Sequence, residues 1–169
     1  MPLTSLPMKY FDTLTNEMVE FAPREPGKVS IYACGPTVYD VPHLGHARTA
    51  LTYDVIARFL RWRGFEVTMV ANITDIDDKI IQRAAAEGTT ETAIAETYTK
   101  AYIDQMDRLN IVHPEHRPHA TEYVDEMQDV IQQLIDREHA YVIDGQGVYF
   151  SVASFEDGYG KLVHRSAED

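Results

Sequence analysis

The sequence of 169 residues is poor in cysteine, in basic residues and in long apolar runs. Its single cysteine, Cys34, excludes an internal disulfide bond and suits a reducing, cytoplasmic compartment. No apolar run approaches the roughly 20 residues of a membrane-spanning helix, so no membrane partner is expected. Lysine and arginine number 15 against 27 acidic residues, and the net charge of −12 argues against broad, non-specific nucleic-acid binding. Any contact with RNA is therefore expected to be local.

One stretch of the chain combines a strand, a turn and two histidines. Residues 29–33 are rich in β-branched and aromatic side chains, and Gly35-Pro36 follows them. Apolar residues then recur at helical spacing before a second strand-like run at 66–71. A strand, a helix and a strand within about forty residues predict a βαβ unit with parallel strands. Ligands of such sheets lie beyond the carboxyl ends of the strands, where we expect His43 and His46.

The remaining patterns predict short elements around this unit. Alternating residues predict hairpins near 10–21 and 141–150, and apolar spacing predicts helices near 72–88, 89–109 and 124–134. We therefore expect an α/β domain half at residues 1–90 and a helical segment with a hairpin at residues 91–169.

His43 and His46 stand about one helical turn apart at the positive end of a predicted helix dipole. A triphosphate bound there would meet backbone N–H groups, the dipole and two imidazoles together. Gly45, between them, allows a ligand to approach the backbone closely. An isolated pair at this spacing is usually one packed and one solvated histidine. The surrounding strand, turn and helix favour an anion-binding site instead.

The run His43-Leu44-Gly45-His46 resembles the HIGH motif of class I aminoacyl-tRNA synthetases. Residues 34–40 (CGPTVYD) and 74–79 (TDIDDK) resemble the cysteinyl-tRNA synthetase family specifically, and so does the opening run at 11–15. The similarity covers nearly the whole chain. It implies the N-terminal part of the catalytic domain, with a Rossmann-like parallel sheet of the HIGH-type nucleotidyltransferases. A mainly helical connecting insertion is expected to follow.

The resemblance also implies a two-step reaction. The carboxylate of L-cysteine attacks the α-phosphate of ATP, supplied with Mg²⁺, to give cysteinyl-adenylate and pyrophosphate; the cysteinyl group then passes to tRNA(Cys). His43 and His46 would be catalytic, stabilising charge at the α-phosphate, and Gly45 would join them in binding ATP. The positions that the resemblance places next to the cysteine substrate are Gly35, Thr37, Thr74 and Asp75.

Cys34 has two interpretations. A lone cysteine at the end of a buried strand is usually a small core residue. The resemblance implies instead one of four ligands of a Zn²⁺ ion, which would bind the substrate thiol and so reject serine. No second cysteine is present, so the other ligands are expected beyond Asp169, with weak or no zinc binding by these residues. We expect the thiol to share one pocket with His43 and His46, and we interpret the histidines at 113, 116 and 119 as part of a polar loop.

Simpler structural roles compete at several positions. Thr74 is a candidate N-cap of the next helix, and the carboxylate of Asp75 has the alternative role of stabilising that helix start. Asp54 and Arg58 are interpreted as a surface ion pair, and Trp62 as a packing residue.

No Lys-Met-Ser-Lys-Ser-type loop, second nucleotide-fold half or anticodon-reading region occurs in the sequence. We therefore expect these 169 residues alone not to charge tRNA. Two alternatives stay open. One is the related cysteine:amino-sugar ligase of mycothiol synthesis, and the other is a non-catalytic truncated paralogue that binds nucleotide.

Overall fold

The computed structural model describes residues 7–155 and 158–165. These residues form two compact units. The first contains residues 23–122, and the second contains residues 7–22 together with the described residues from 123 onward. The domain division expected at residue 90 stays a prediction. Within the described ranges, no helix is both long and apolar enough to cross a membrane.

The helices and strands follow the predicted order. The strands are β1 (Lys9–Asp12), β2 (Glu17–Glu20), β3 (Lys28–Ala33), β4 (Glu66–Ala71), β5 (Ala140–Ile143) and β6 (Gly147–Phe150). The helices are α1 (Leu44–Trp62), α2 (Asp78–Glu87), α3 (Glu91–Arg108) and α4 (Val124–Asp136).

The first unit is built on the parallel pair β3 and β4, as predicted. Their register runs from Lys28 opposite Glu66 to Ala33 opposite Ala71. Pairing continues beyond both strands, where Thr37 forms a parallel bridge with Thr74. The carboxyl ends of the two strands therefore stay together as the chain leaves the sheet.

The connector at residues 109–119 runs beside β4 rather than forming a separate loop. Parallel bridges join Val70 to His116 and Ile73 to His119. The interpretation of this histidine-bearing segment as a polar loop is therefore wrong for its backbone, which adds a third strand-like segment to the sheet. Its hydrogen bonds reach residues more than 40 positions earlier, so local sequence patterns carried no sign of them.

Helices α2 and α3 pack against the residues that follow β3 and β4 and form one core cluster of this unit. The buried side chains of this cluster are Val38, Ile73, Ile80, Ala84, Ile94 and Ala95. Asp77 caps α2 by accepting a hydrogen bond from the backbone of Lys79, and Gly88 ends that helix with φ +64. The prediction that Thr74 caps α2 is wrong, because Thr74 pairs with Thr37 and the N-cap residue is Asp77.

Helix α1 buries only the face that carries Asp54, Ala57 and Leu60. Trp62 lies on the other side and is 65% exposed, so its interpretation as a packing residue is wrong. Asp54 is not at the surface as predicted. Its side chain is 5% exposed and accepts hydrogen bonds from Arg58 and from the backbone of Val112 in the connector.

The second unit contains both predicted hairpins. Strands β1 and β2 pair antiparallel around a turn in which Asn16 has φ +56, a left-handed conformation that asparagine tolerates. Strands β5 and β6 also pair antiparallel, and the glycines of their turn adopt positive φ angles. Helix α4 begins at the predicted position and contacts β5.

Candidate functional site

The two histidines at the start of α1 cap the helix reciprocally. His43 is the N-cap residue, and its Nδ1 atom accepts a hydrogen bond from the backbone N–H of Gly45 at 3.0 Å. His46 lies in the first turn, and its Nδ1 atom accepts from the backbone N–H of His43 at 3.1 Å. This arrangement satisfies two N–H groups that a helix start otherwise leaves unpaired.

The caps determine which ring nitrogen holds the proton. A backbone N–H always donates, so Nδ1 of both His43 and His46 must be unprotonated while the caps are made. In the neutral rings the proton is therefore on Nε2, and neither Nε2 has a partner among the described residues. Partial burial and the neighbouring His43 lower the pKa of His46, which favours its neutral form.

The surroundings of these rings favour an anion. The ring centroids lie 4.0 Å apart, so both imidazoles occupy the same end of α1. The first turn of α1 contains no acidic residue that would compensate the partial positive charge of the helix N-terminus. Two Nε2–H donors and the positive end of the helix dipole thus lie at the same end of α1, where an anionic ligand would gain from each of them.

Gly45 has a steric role in this cap. A Cβ atom at this position would lie 2.8 Å from Cε1 and 2.9 Å from Nδ1 of His43. Any larger residue would therefore displace the capping ring. From the sequence, Gly45 was expected to let a ligand approach the backbone closely. In the structure the ring of His43 also lies close to Gly45.

Gly35, Thr37 and Thr74 are brought together at the carboxyl ends of β3 and β4. The backbone N–H of Gly35 donates to Oδ1 of Asn72 at 2.9 Å, and Nδ2 of Asn72 donates to Oγ1 of Thr74 at 3.1 Å. The backbone N–H of Val38 donates to the carbonyl of Thr74 at 3.1 Å. Asn72 joins two of the three predicted positions, Gly35 and Thr74. It was missed, although an asparagine directly after a buried strand is a signal that could have identified it.

Cys34 lines a small cavity at the end of β3. Its exposed side chain lines a cavity of about 40 Å³ between β3, α1, β4 and the connector, together with Gly35 and Asn72. Neither His43 nor His46 lines this cavity, and the pocket expected to contain the thiol and both imidazoles stays a prediction. Within residues 7–155 and 158–165, no three side chains of histidine, cysteine, aspartate or glutamate are grouped to hold a metal ion.

Asp75, which follows β4, is hydrogen-bonded to the end of the connector and to the residues just after it. Its carboxylate accepts hydrogen bonds from the backbone N–H and the hydroxyl of Thr121, at 2.9 and 2.7 Å, and from Nδ1 of His119 at 3.0 Å. It does not stabilise the start of α2, which was its alternative role. Partial burial raises the pKa of Asp75, but the hydrogen bonds from Thr121 and His119 outweigh it, and the pKa lies below its usual value.

Glu115 makes a second attachment that sequence reasoning missed. Its carboxylate accepts hydrogen bonds from the backbone N–H of Met69 at 2.7 Å and from Arg61 at 2.6 Å. Burial raises the pKa of Glu115, but the Met69 hydrogen bond and the nearby charge of Arg61 outweigh this effect, so the pKa lies below its usual value. Glu115, Asp54 and Asp75 thus hold the connector at three points.

Replacing Asp75 by asparagine is expected to destabilise the first unit by about 2 to 3 kcal/mol, because a charge-assisted network is lost at a side chain that is only 10% exposed. A carboxyl with a lowered pKa stabilises the fold above its unfolded pKa of about 3.9, and this contribution is lost as the pH falls through the folded pKa. Urea unfolding at pH 7 and at pH 3.5 measures both effects.

The matched control is Asp78→Asn, which removes an acid of the same type from the first turn of α2, outside the connector contacts. Its effect is expected to stay within about 0.5 kcal/mol. If Asp75→Asn were no more costly than this control at pH 7, the fastening role would be excluded. The difference between the two variants should shrink at pH 3.5.

Known protein families match most of the chain. The family described as "tRNA synthetases class I (C) catalytic domain" matches residues 20–169. A protein of Solidesulfovibrio magneticus named cysteine–tRNA ligase is 50% identical over 162 residues, covering 96% of this chain and 33% of its own length. A cysteine–tRNA ligase of Thermodesulfovibrio yellowstonii is 49% identical over 165 residues, covering 96% and 34%. The chain therefore spans about a third of the length of these relatives.

Two solved structures share the fold. The LeuRS of Agrobacterium radiobacter K84, in a ternary complex with tRNA and LeuAMS, superposes with a TM-score of 0.65 at 20% identity, covering 80% of this chain and 23% of that one. The methionyl-tRNA synthetase of Mycobacterium tuberculosis, in complex with methionyl-adenylate, gives a TM-score of 0.56 at 25% identity, covering 66% and 23%. These likenesses confirm the α/β, Rossmann-like fold class.

Proposed function

Because the chain belongs to the class I (C) tRNA synthetase catalytic-domain family, as its motifs predicted, we propose that it forms part of an enzyme that activates L-cysteine with ATP and transfers it to tRNA(Cys). The observation that carries this proposal is the reciprocal histidine cap at the start of α1. It leaves two Nε2–H donors beside a helix N-terminus. The whole reaction is assigned to the longer protein, because this chain spans about a third of its relatives.

In the proposed first step, His43 and His46 bind the triphosphate through Nε2–H groups while Nδ1 of each ring keeps its cap. The carboxylate oxygen of cysteine forms a bond to the α-phosphorus, and the bond from that phosphorus to the pyrophosphate oxygen breaks. Negative charge grows on the non-bridging α-phosphate oxygens as this happens. The two donors and the dipole of α1 stabilise that charge without needing to reorganise.

The amino acid is proposed to lie against Gly35, Thr37 and Thr74, at the carboxyl ends of β3 and β4. This is where open α/β sheets bind their ligands. The oxygens of Asp75 are taken up by Thr121 and His119, so we assign Asp75 the task of positioning Thr74 rather than contacting cysteine. This replaces the expectation that Asp75 binds the substrate directly.

The described residues do not form the zinc site that was expected. Cys34 has an exposed thiol at the end of β3, as a metal ligand would, but the described residues group no second and third ligand with it. A zinc site needs at least three protein ligands when it is catalytic. No step is therefore derived through zinc. ATP with Mg²⁺ as substrate and a cytoplasmic location remain parts of the proposal.

Cysteine-dependent exchange of pyrophosphate into ATP tests the proposal. The enzyme that carries these 169 residues is expected to catalyse the exchange with cysteine and not with serine, and to charge tRNA(Cys). The 169 residues alone are expected to be inactive. Exchange that needs no amino acid would contradict the proposal, and so would transfer of cysteine to an amino-sugar acceptor instead of tRNA.

A further inference from the structure

A groove of about 830 Å³ lies on the first unit, between the start of α2, helix α3 and residues 119–122. None of its lining residues lines the cavity beside Cys34. The histidines of the α1 cap do not line it either. Of the residues assigned a role in the reaction above, Asp75 alone lines the groove, so the groove is distinct from the histidine cap and from the cavity beside Cys34. Its volume is in the range of sites that hold ligands.

The floor of this groove is apolar. Ile80 and Ala95 are buried beneath it, and Ile103 lines it from α3. Ile76 and Ile81 extend from the same floor and are 51% and 48% exposed. Two half-exposed isoleucines in a groove that buried apolar residues also line leave apolar surface that a partner would gain by covering.

The walls of the groove are acidic. Its lining contains six carboxylate residues and only two cationic or titratable bases, Lys100 and His119. Both bases are already paired, Lys100 with Asp104 at 2.5 Å and His119 with Asp75 at 3.0 Å.

Two carboxylates of α3, Glu91 and Glu96, have no hydrogen bond or ion pair within the part of the chain that the structure describes. The hydroxyl of Thr99, one helical turn from Glu96, is buried in the same wall and also lacks a partner there. The groove therefore presents unused acceptors as well as unused apolar surface.

We propose that this groove docks a basic amphipathic helix. The apolar floor requires an apolar face on the occupant, and the unpaired carboxylates at positions 91 and 96 require cations along its edges. Nucleotides and RNA carry the wrong charge for these walls. A volume of about 830 Å³ accommodates the side chains of one face of a short helix.

Fluorescence anisotropy with the enzyme that carries this chain tests the proposal. The probe is a labelled 15-residue peptide of lysine and leucine at amphipathic helical spacing. A peptide with glutamate in place of every lysine, and a scrambled lysine–leucine peptide, are the comparison probes. The first peptide is expected to bind, and each comparison peptide at least about tenfold more weakly.

Charge-neutral variants locate the binding. The double variant Glu91→Gln/Glu96→Gln is expected to lower the affinity for the lysine–leucine peptide about tenfold. Ile81→Ser is expected to lower it by a similar factor. The matched control is Glu17→Gln/Glu66→Gln, which removes the same charge from exposed strand positions outside the groove. This control is expected to change the affinity less than twofold.

Three results would overturn the proposal. The first is no binding of the lysine–leucine peptide, and the second is equal loss of affinity in the groove and control variants, which would show non-specific charge attraction. The third is a self-association of the protein, seen by sedimentation, that Ile81→Ser abolishes while peptide binding is unaffected. That result would assign the groove to a second copy of the chain.

Discussion

Replacing His46 by asparagine is expected to slow cysteine-dependent pyrophosphate exchange about 100- to 1000-fold, the usual cost of one preorganised donor to a developing anion. The asparagine oxygen stands close to the position of Nδ1, so it can still accept from the backbone N–H of His43. It has no atom at the position of Nε2. The variant thus keeps the helix cap and loses the donor.

The companion variant His46→Gln keeps both properties. Glutamine at the third position of a helix is a usual capping-box residue, so its Oε1 can accept from the backbone N–H of His43 while its amide N–H donates near the position of Nε2. It is expected to retain more exchange activity than His46→Asn at similar stability. Exchange rates and thermal unfolding of both variants separate catalysis from capping.

His139→Asn is the control for a general effect of removing a histidine. His139 lies between α4 and β5, shares a hydrogen bond with Ser154, does not line the cavity beside Cys34 and is assigned no role in the reaction. Its exchange rate is expected to remain within about twofold of the parent enzyme. Equal exchange rates in His46→Asn and His46→Gln would contradict the assignment of Nε2–H as the donor.

Gly35→Ala is expected to destabilise the protein by about 3 kcal/mol or more, because the added methyl group has no space. Its Cβ atom would stand 1.5 Å from the backbone carbonyl oxygen of Asn72. A backbone atom held by the paired segments at 36–38 and 72–74 cannot rotate away as a side chain can. Urea unfolding monitored by circular dichroism measures the loss.

Gly45→Ala is the informative comparison, because the same methyl group meets a mobile neighbour there. Its Cβ atom would contact the ring of His43, which can move at the cost of the cap, about 1 kcal/mol. Gly45→Ala should therefore lose exchange activity while keeping most of its stability. If Gly35→Ala were as stable as Gly45→Ala, the close approach of residues 35 and 72 would be refuted.

The βαβ unit could be predicted because each of its elements is encoded locally. Strand β3 is β-branched, α1 carries apolar residues at helical spacing, and Gly64 adopts the φ of +95 that a sharp helix end favours. The hairpins were predicted for the same reason, since short turns bring neighbours in sequence together. The motif at residues 43–46 placed both histidines at the start of α1.

The errors in the prediction have a different origin. Thr74 has the side chain of a helix cap, but its backbone pairs with Thr37, which delays α2 until Asp77. Trp62 lies at helical spacing from apolar residues, but α1 buries its other face. In both cases the tertiary structure overrode a valid local preference.

By itself the sequence determined the order of strands and helices, the family and the position of the paired imidazoles, because these depend on residues that are near one another in the chain. Only the tertiary structure decided that carboxylates at 54, 75 and 115 hold the connector. Those hydrogen bonds join residues 46 to 58 positions apart. At such separations, the packing of the sheet and helices decides which carboxylate accepts from a given backbone N–H. A local sequence pattern cannot predict this pairing.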